Sequence, residues 1–283
     1  MIPAAFEYIR PKTLDEAFTL VERNSDAKFL AGGHSLIPMM KLRLAAPELL
    51  IDLRAIPSLA GIHRDAARLR IGALTTHSEM AASGELQRFA PALWDAANGL
   101  GDPQVRNRGT IGGACAHGDP SADYPACMLA LDAVFTVRGK KGEREIKADD
   151  FFVGMFETAL DRTEILTAIS FAVAAHSAYV KFEHPASHYA LVGAAVKLDL
   201  AGGNIGAARV ALTGVGDSAA HAGAVEKALA GCKTSDADAL KAACARAAEG
   251  FDVRADIQAS VAYRSAMADV FTLRAVTLAI SRT

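Results

Sequence analysis

Lys28-Phe29-Leu30-Ala31-Gly32-Gly33-His34-Ser35-Leu36-Ile37-Pro38-Met39-Met40-Lys41-Leu42 is the stretch that decides the fold of this 283-residue chain. A short apolar run ends at a glycine pair, and a helix-compatible segment follows with Pro38 near its first turn, where a missing N–H costs little. At a glycine pair no Cβ keeps a ligand off the backbone. The unpaired N–H groups of the helix start then point at an anion. Working outward, Thr13 stands as N-cap before Leu14-Asp15-Glu16-Ala17, and Leu49-Leu50-Ile51-Asp52-Leu53 reads as a further strand. With a strand from Phe6, the first fifty residues spell a small βαβαβ lobe.

A second pair lies in Thr110-Ile111-Gly112-Gly113, with Ala116-His117-Gly118-Asp119-Pro120 close behind. One glycine pair is an ordinary turn. Two, each tied to an apolar run, are better explained by one extended diphosphate ligand held from both sides. Around the second pair we read an alternating strand over Arg68–Ala73, a helix start at Thr76-His77-Ser78-Glu79, and helical periodicity from Glu85 to Leu100. A helix from Asp123 to Leu131 follows. Val134–Arg138 and Glu143–Ile146 then form a hairpin around Gly139-Lys140-Lys141-Gly142.

After a strand-like Glu164–Phe171, a third region begins near His176. Its strands are Tyr179–His184, Tyr189–Leu200 and Ile205–Thr213, the last two joined at Ala201-Gly202-Gly203-Asn204. Helices at about 219–230, 235–249 and 257–281 cover that antiparallel sheet. Gly214-Val215-Gly216-Asp217-Ser218-Ala219 matches the surface form of a dinucleotide fingerprint, but the strands before it are sequential and antiparallel, whereas the fingerprint needs a parallel unit. We read it as a tight strand-to-helix turn. The overall class is α+β, with lobes at 1–55 and 56–175 and a third unit at 176–283.

A formal charge of −2 and the lack of a Lys/Arg cluster interleaved with aromatics argue against nucleic acid. No apolar run is long enough for a membrane span, and Met1–Tyr8 lacks a basic segment followed by an apolar core. A cytoplasmic protein is expected, in contact with the inner membrane face through partners at most. Cys115, Cys127, Cys232 and Cys244 contain no C-x-x-C pair, so neither zinc nor an iron–sulfur cluster has local ligands here. Cys115, His117 and Asp119 alternate as one face of an extended segment would, and we assign no metal to them.

The segments AGGHSLIPMMKLRLAAPELLIDL (31–53), VRNRGTIGGACAHGDPSADYPA (105–126) and FFVGMFETALDRTEILTAISF (151–171) together resemble the flavin-carrying medium subunit of the molybdenum hydroxylases, carbon monoxide dehydrogenase among them. The resemblance covers essentially the whole chain. It implies a two-lobed FAD-binding unit of the vanillyl-alcohol oxidase (PCMH) type, followed by an α+β domain with an antiparallel sheet. It further implies FAD between lobes one and two, its pyrophosphate on the backbone of Ala31, Gly32, Gly33, His34 and Ser35, and of Thr110, Ile111, Gly112, Gly113 and Ala114. Leu36 and Ala116 complete the two contact segments, and Thr110 adds a hydroxyl. Ala114 stands where relatives often carry Asp, Asn or Ser, so only a backbone contact carries over there.

By the same similarity Asp123 sits on the ribityl or adenosine side, Leu166 near the ring system or adenine, Lys181 near the flavin edge and Tyr189 beside the ring. A plain structural role stands next to each: helix cap, core leucine, solvated strand lysine, packing aromatic. His34 is read as a phosphate donor or a packing group, and His117 as a buried, hydrogen-bonded residue. No residue is read as catalytic. The resemblance implies electron transfer: a small subunit with 2Fe-2S clusters and a large subunit with the molybdenum cofactor as partners, in a dimer of heterotrimers. A stand-alone flavin oxidase of the same fold and a non-catalytic nucleotide-binding protein remain alternatives.

Overall fold

The structure, a computed structural model, describes residues 2–282. Its first lobe runs β1 (Glu7–Ile9), α1 (Leu14–Arg23), β2 (Ala27–Leu30), α2 (Leu36–Lys41) and β3 (Leu49–Asp52), with strand order β1-β3-β2 and both pairs parallel. The order follows from local chemistry. Thr13 accepts the Glu16 N–H at 3.2 Å while Glu16 reaches back to the Lys12 N–H, so the first turn of α1 is closed at both ends. Ala17, Phe18 and Val21 then face Leu49 and Ile51 in one buried cluster.

The second lobe comprises β4 (Ile62–Arg64), β5 (Arg68–Gly72), α3 (His77–Ala81), α4 (Gly84–Phe89), α5 (Pro91–Gly99), α6 (Pro103–Arg106), α7 (Ile111–His117) and α8 (Asp123–Ala130). It continues with β6 (Val134–Gly139), β7 (Gly142–Lys147), α9 (Ala148–Phe151), β8 (Phe152–Gly154), β9 (Glu157–Thr158) and β10 (Ile165–Ala172). The main sheet is antiparallel in the order β4-β5-β10-β6-β7. Thr76 and Glu79 form the capping box of α3 that their spacing predicts. The helical run expected over Glu85–Leu100 is two helices. Ala90 leaves the helical region (φ −153°, ψ 59°) because the ring of Pro91 crowds the residue before it.

The third unit holds β11 (Ser177–Glu183), β12 (Ala190–Ala201), β13 (Asn204–Thr213) and β14 (Ala220–His221), antiparallel in that order, then α10 (Gly223–Leu229), α11 (Ala237–Cys244) and α12 (Val261–Ser281). Gly202 and Gly203, at φ +57° and +78°, make the hairpin turn between β12 and β13. The helix expected from 219 begins only at Gly223. Ala220 and His221 are taken up as an edge strand on Leu212 and Ala211, so Gly214–Ala219 is a strand-to-strand connection. Among the described residues no parallel strand follows it, and the fingerprint reading falls on topology. A polar seam ties this unit to the second lobe. Thr213 donates to the Pro120 and Ala122 carbonyls, and the Arg282 guanidinium forks onto Asp95 at 2.7 and 2.8 Å.

Candidate functional site

The two glycine pairs, remote in sequence, meet in space. A Cβ on Gly32 would lie 2.1 Å from the Arg108 carbonyl oxygen and 2.7 Å from the Gly109 Cα, so the two loops touch backbone to backbone. A Cβ on Gly113 would lie 3.5 Å from that of Ala31. Gly33 has φ +79°, a conformation that turns the chain from the end of β2 into α2. A cleft of about 390 Å³ opens beside the contact, lined by Gly32, Gly33, His34, Ile37, Pro38, Lys41 and Arg108.

The two loops offer a ligand different things. Among the described residues, none of the four N–H groups from Gly32 to Ser35 donates to another group of the chain, and Ser35 makes no side-chain cap. Four donors therefore stand free at the head of α2. The second pair lies inside the first turn of α7, not ahead of it. There Ile111 N–H donates to the Thr75 carbonyl at 3.1 Å, Gly112 to Ala73 at 2.8 Å, Gly113 to Thr110 Oγ1 at 3.1 Å and Ala114 to the Thr110 carbonyl at 3.0 Å. The Ile111–Ala114 N–H groups are thus committed to the fold, whereas the Thr110 N–H donates to no other group among the described residues and the Thr110 hydroxyl keeps its own hydrogen to donate. A Cβ on Gly112 would meet the Ala73 Cβ at 2.4 Å, so this glycine serves the packing of α7 on the end of β5.

Three further residues carry chemistry that their sequence context did not announce. Arg108, exposed, lines the cleft beside His34, which is also exposed. His77 is buried beneath the second loop, its Nδ1 3.0 Å from the Tyr124 hydroxyl and its Nε2 2.4 Å from where a Gly109 Cβ would be. Burial, with His34 and Arg106 nearby, pulls its pKa down to about 4, so it is neutral near pH 7. Tyr179, read only as the start of a strand, donates to Asp123 Oδ1 at 2.5 Å.

Asp123 and Lys181 are brought together. At 2 % and 8 % side-chain exposure they form an ion pair of 3.2 Å between α8 and β11, and Lys181 also donates to the His188 carbonyl at 2.7 Å. Burial pushes the Asp123 carboxyl up, against the pull of the Lys181 ammonium and the Tyr179 hydroxyl. Tyr189 follows His188 and is 45 % exposed. Its phenol is pushed up by burial and by the charges of Asp119 and Asp123, and the next residue, Ala190, donates its N–H to the Ser121 carbonyl at 3.3 Å.

Leu166 is 6 % exposed in β10, opposite Val137, within the core of the second lobe. Ala116 lies on the exposed face of α7 and Leu36 opens α2, half-buried. His117 is half-buried against Phe156, ring centroids 5.1 Å apart, and makes no hydrogen bond among the described residues, so its expected bonding gives way to aromatic packing. Among the described residues no group of three or more His, Cys, Asp or Glu is disposed to hold a metal, and no helix is long and apolar enough to cross a membrane.

Residues 4–172 match the model of the FAD binding domain in molybdopterin dehydrogenase, and residues 177–279 match the CO dehydrogenase flavoprotein C-terminal domain. The chain is 40 % identical over 286 aligned positions to the carbon monoxide dehydrogenase medium chain of Hydrogenophaga pseudoflava, covering 100 % of this chain and 99 % of that one. It superposes on a chain of the reconstituted CO dehydrogenase from Oligotropha carboxidovorans with a TM-score of 0.94 at 39 % identity, covering 100 % of both. A chain of quinoline 2-oxidoreductase from Pseudomonas putida 86 gives 0.94 at 33 % identity, covering 99 % of this chain and 98 % of that one. The free donors at the head of α2, the positive φ of Gly33 and the adjoining Arg108 suit a diphosphate. This chain belongs to the family of FAD-binding medium subunits of the molybdenum hydroxylases.

Proposed function

We propose that this chain is the electron-relay flavoprotein of a multi-subunit molybdenum hydroxylase, taking electrons from iron–sulfur clusters of a partner subunit and passing them to an external acceptor. The observation that carries this reading is the run of four undonated N–H groups from Gly32 to Ser35, lying against the second loop at Arg108 and Gly109. Bound FAD supplies a centre that exchanges electrons singly or in pairs. What the chain contributes is placement.

The Gly32–Ser35 donors hold the diphosphate with no Cβ in the way, Arg108 adds a bidentate cation, and the Thr110 hydroxyl donates from the second loop. Ala31, Leu36 and the Ile111–Ala114 turn, with Ala116 behind it, form the walls. Asp123, Leu166, Lys181 and Tyr189 serve the remainder of the cofactor. α7 is seven residues long, about 10 Å at the helical rise. It ends at Gly118, and the loop of Asp119 and Ser121 follows, the Ser121 carbonyl taking the N–H of Ala190 beside Tyr189. His34 and His117 are given no proton-transfer step.

The partners are a small subunit with 2Fe-2S clusters and a large subunit with the molybdenum cofactor, assembled as a dimer of heterotrimers in the cytoplasm. The division into units at 1–55, 56–175 and 176–283 is supported by three apolar clusters centred on the first lobe, the second lobe and the C-terminal sheet, of which the first takes in Leu74 and Ile165 and the second takes in Tyr179 and Ala195 across the boundaries. The purified full chain is expected to take up one FAD without covalent attachment, to be reduced by dithionite, and to oxidise no carbon monoxide, aldehyde or N-heterocycle. Substrate turnover by the single chain, free of iron and molybdenum, would overturn the relay in favour of a self-sufficient oxidase.

A further inference from the structure

The Asp123–Lys181 pair sits between two units of the chain, yet one of its bonds serves neither partner's own element. Besides Asp123, the Lys181 ammonium takes the carbonyl of His188, and His188 holds φ +58°, an unfavourable conformation for a side chain that carries a Cβ. A local strain of this kind persists only where surrounding bonds over-determine it. Here they do. The turn from His184 to Tyr189 is closed by His188 N–H on the His184 carbonyl and by His184 N–H on the Tyr189 carbonyl, each at 2.8 Å. The His184 imidazole accepts the Ala186 and Ser187 N–H groups on Nδ1 at 3.2 Å, while its Nε2 faces Gln258 Oε1 at 2.9 Å. All of these bonds are internal to the third unit. Two bonds refer the turn to the second lobe: the Ala190 N–H just past its end donates to the Ser121 carbonyl at 3.3 Å, and within the turn the His188 carbonyl is held by Lys181, through a carboxylate that is itself fixed by the Tyr179 hydroxyl.

The residue this arrangement delivers is Tyr189. It leaves the strained turn with its ring partly exposed and its hydroxyl without a hydrogen-bond partner among the described residues, and the residue after it, Ala190, donates to Ser121 in the loop that carries Asp119. A packing aromatic of the sheet would be covered. Gly99 adds to the picture, since a Cβ there would touch the Lys181 stem at 3.7 Å, so the lysine is walled in by the end of α5 and has little freedom to seek other acceptors.

We propose that Lys181 is a positioning residue: clamped by Asp123, its ammonium grips the His188 carbonyl and so fixes the ring of Tyr189 against the flavin. This rests on the FAD reading above and deepens it. Lys181 acts on the cofactor through the turn and Tyr189, and not through a bond of its own. The pair therefore couples the seating of the third unit on the second lobe to the environment of the ring. A buried pair is a poor source of net stability but a good way to fix a register.

The test uses the full chain loaded with FAD, in four forms: wild type, Tyr189→Ala, Lys181→Met and the double variant. A tyrosine ring in contact quenches flavin emission by electron transfer, so Tyr189→Ala is expected to brighten bound FAD several-fold. Lys181→Met should brighten it in the same direction with FAD still bound, and the double variant should match Tyr189→Ala alone, because both changes remove one device. Lys181→Arg, which retains charge and donors, should restore quenching. Asp123→Asn, close in shape, is the second route to a slack lysine should Lys181→Met fail to fold, and it too should brighten the flavin. Wild-type emission in either Lys181→Met or Asp123→Asn, or fully multiplicative effects in the double variant, would overturn the clamp.

Hydrogen exchange of the Ser187–Ala190 amides in the chain without FAD separates this proposal from the one beneath it. Exchange there should accelerate at least tenfold in Lys181→Met and stay unchanged in Tyr189→Ala. A wild-type chain that takes up no FAD would refute the cofactor reading, while unchanged exchange in Lys181→Met would refute the clamp whatever the cofactor does.

Discussion

Replacing Gly32 with alanine tests the cradle at the point where its two halves touch. The added Cβ would sit 2.1 Å from the Arg108 carbonyl oxygen and 2.8 Å from its carbon, both backbone atoms that no rotamer can clear. Ordinary contact between such atoms lies at about 3.5 Å, so the loops must part by roughly 1 Å. A shift of that size takes an N–H···O bond out of its working range. Each charge-assisted bond to a phosphate oxygen contributes about 1.5–3 kcal/mol, so losing one weakens FAD binding by about 10- to 150-fold. The assay is equilibrium titration of the full chain with FAD, followed by flavin absorbance, with thermal unfolding to verify that the variant folds. Gly223→Ala is the control, since a Cβ at that helix start meets nothing within 4 Å. A folded Gly32→Ala chain with wild-type FAD affinity would refute the idea that the loops act together on one diphosphate.

Three further outcomes follow from the same geometry. Arg108→Ala should raise the FAD dissociation constant by about 3- to 10-fold and flatten its dependence on salt, as expected for an exposed cation on a phosphate; an unchanged salt slope in the binding titration would remove Arg108 from the site. His77 has its folded pKa depressed from 6.5 to about 4, so the unfolded chain binds the extra proton in that window: stability is full above about pH 6.5, falls by roughly 3 kcal/mol as pH drops to about 4, and urea midpoints of His77→Gln should lack this slope. Gly216→Ala should leave FAD content, stability and the absence of any NADH difference spectrum unaltered, since its Cβ would meet nothing closer than the Asp252 carbonyl at 3.4 Å; loss of an NADH response in that variant alone would restore the fingerprint reading.

Much of the fold was legible because it is written in short-range chemistry. Thr13 and Thr76 cap helices through partners three residues away, and the Gly202-Gly203 turn reverses the chain between β12 and β13, whose register shifts once at Asp199 and Leu200. Two misplaced elements had different causes. Pro91 was a visible breaker inside a helical period, whereas Ala220 and His221 become a strand only because β13 presents a free edge. The candidate site divides in the same way. The glycine pairs announced themselves, but which of them offers donors depended on Ala73 and Thr75 reaching the second loop across more than thirty residues. Arg108, His77 and Tyr179 carry no local signature. Their importance arises from contacts with the Gly32 loop, Tyr124 and Asp123, which sequence spacing does not reveal.

The relay itself is tested most directly by anaerobic stopped-flow on the chain reassembled with the iron–sulfur and molybdenum subunits proposed for it, following flavin bleaching near 450 nm as substrate is added. With both partners present the FAD of this chain should bleach within the turnover time, and omission of either subunit should abolish bleaching while dithionite still reduces the flavin. Bleaching by substrate with the iron–sulfur subunit left out would contradict electron delivery through a cluster, and with it the role proposed for this chain.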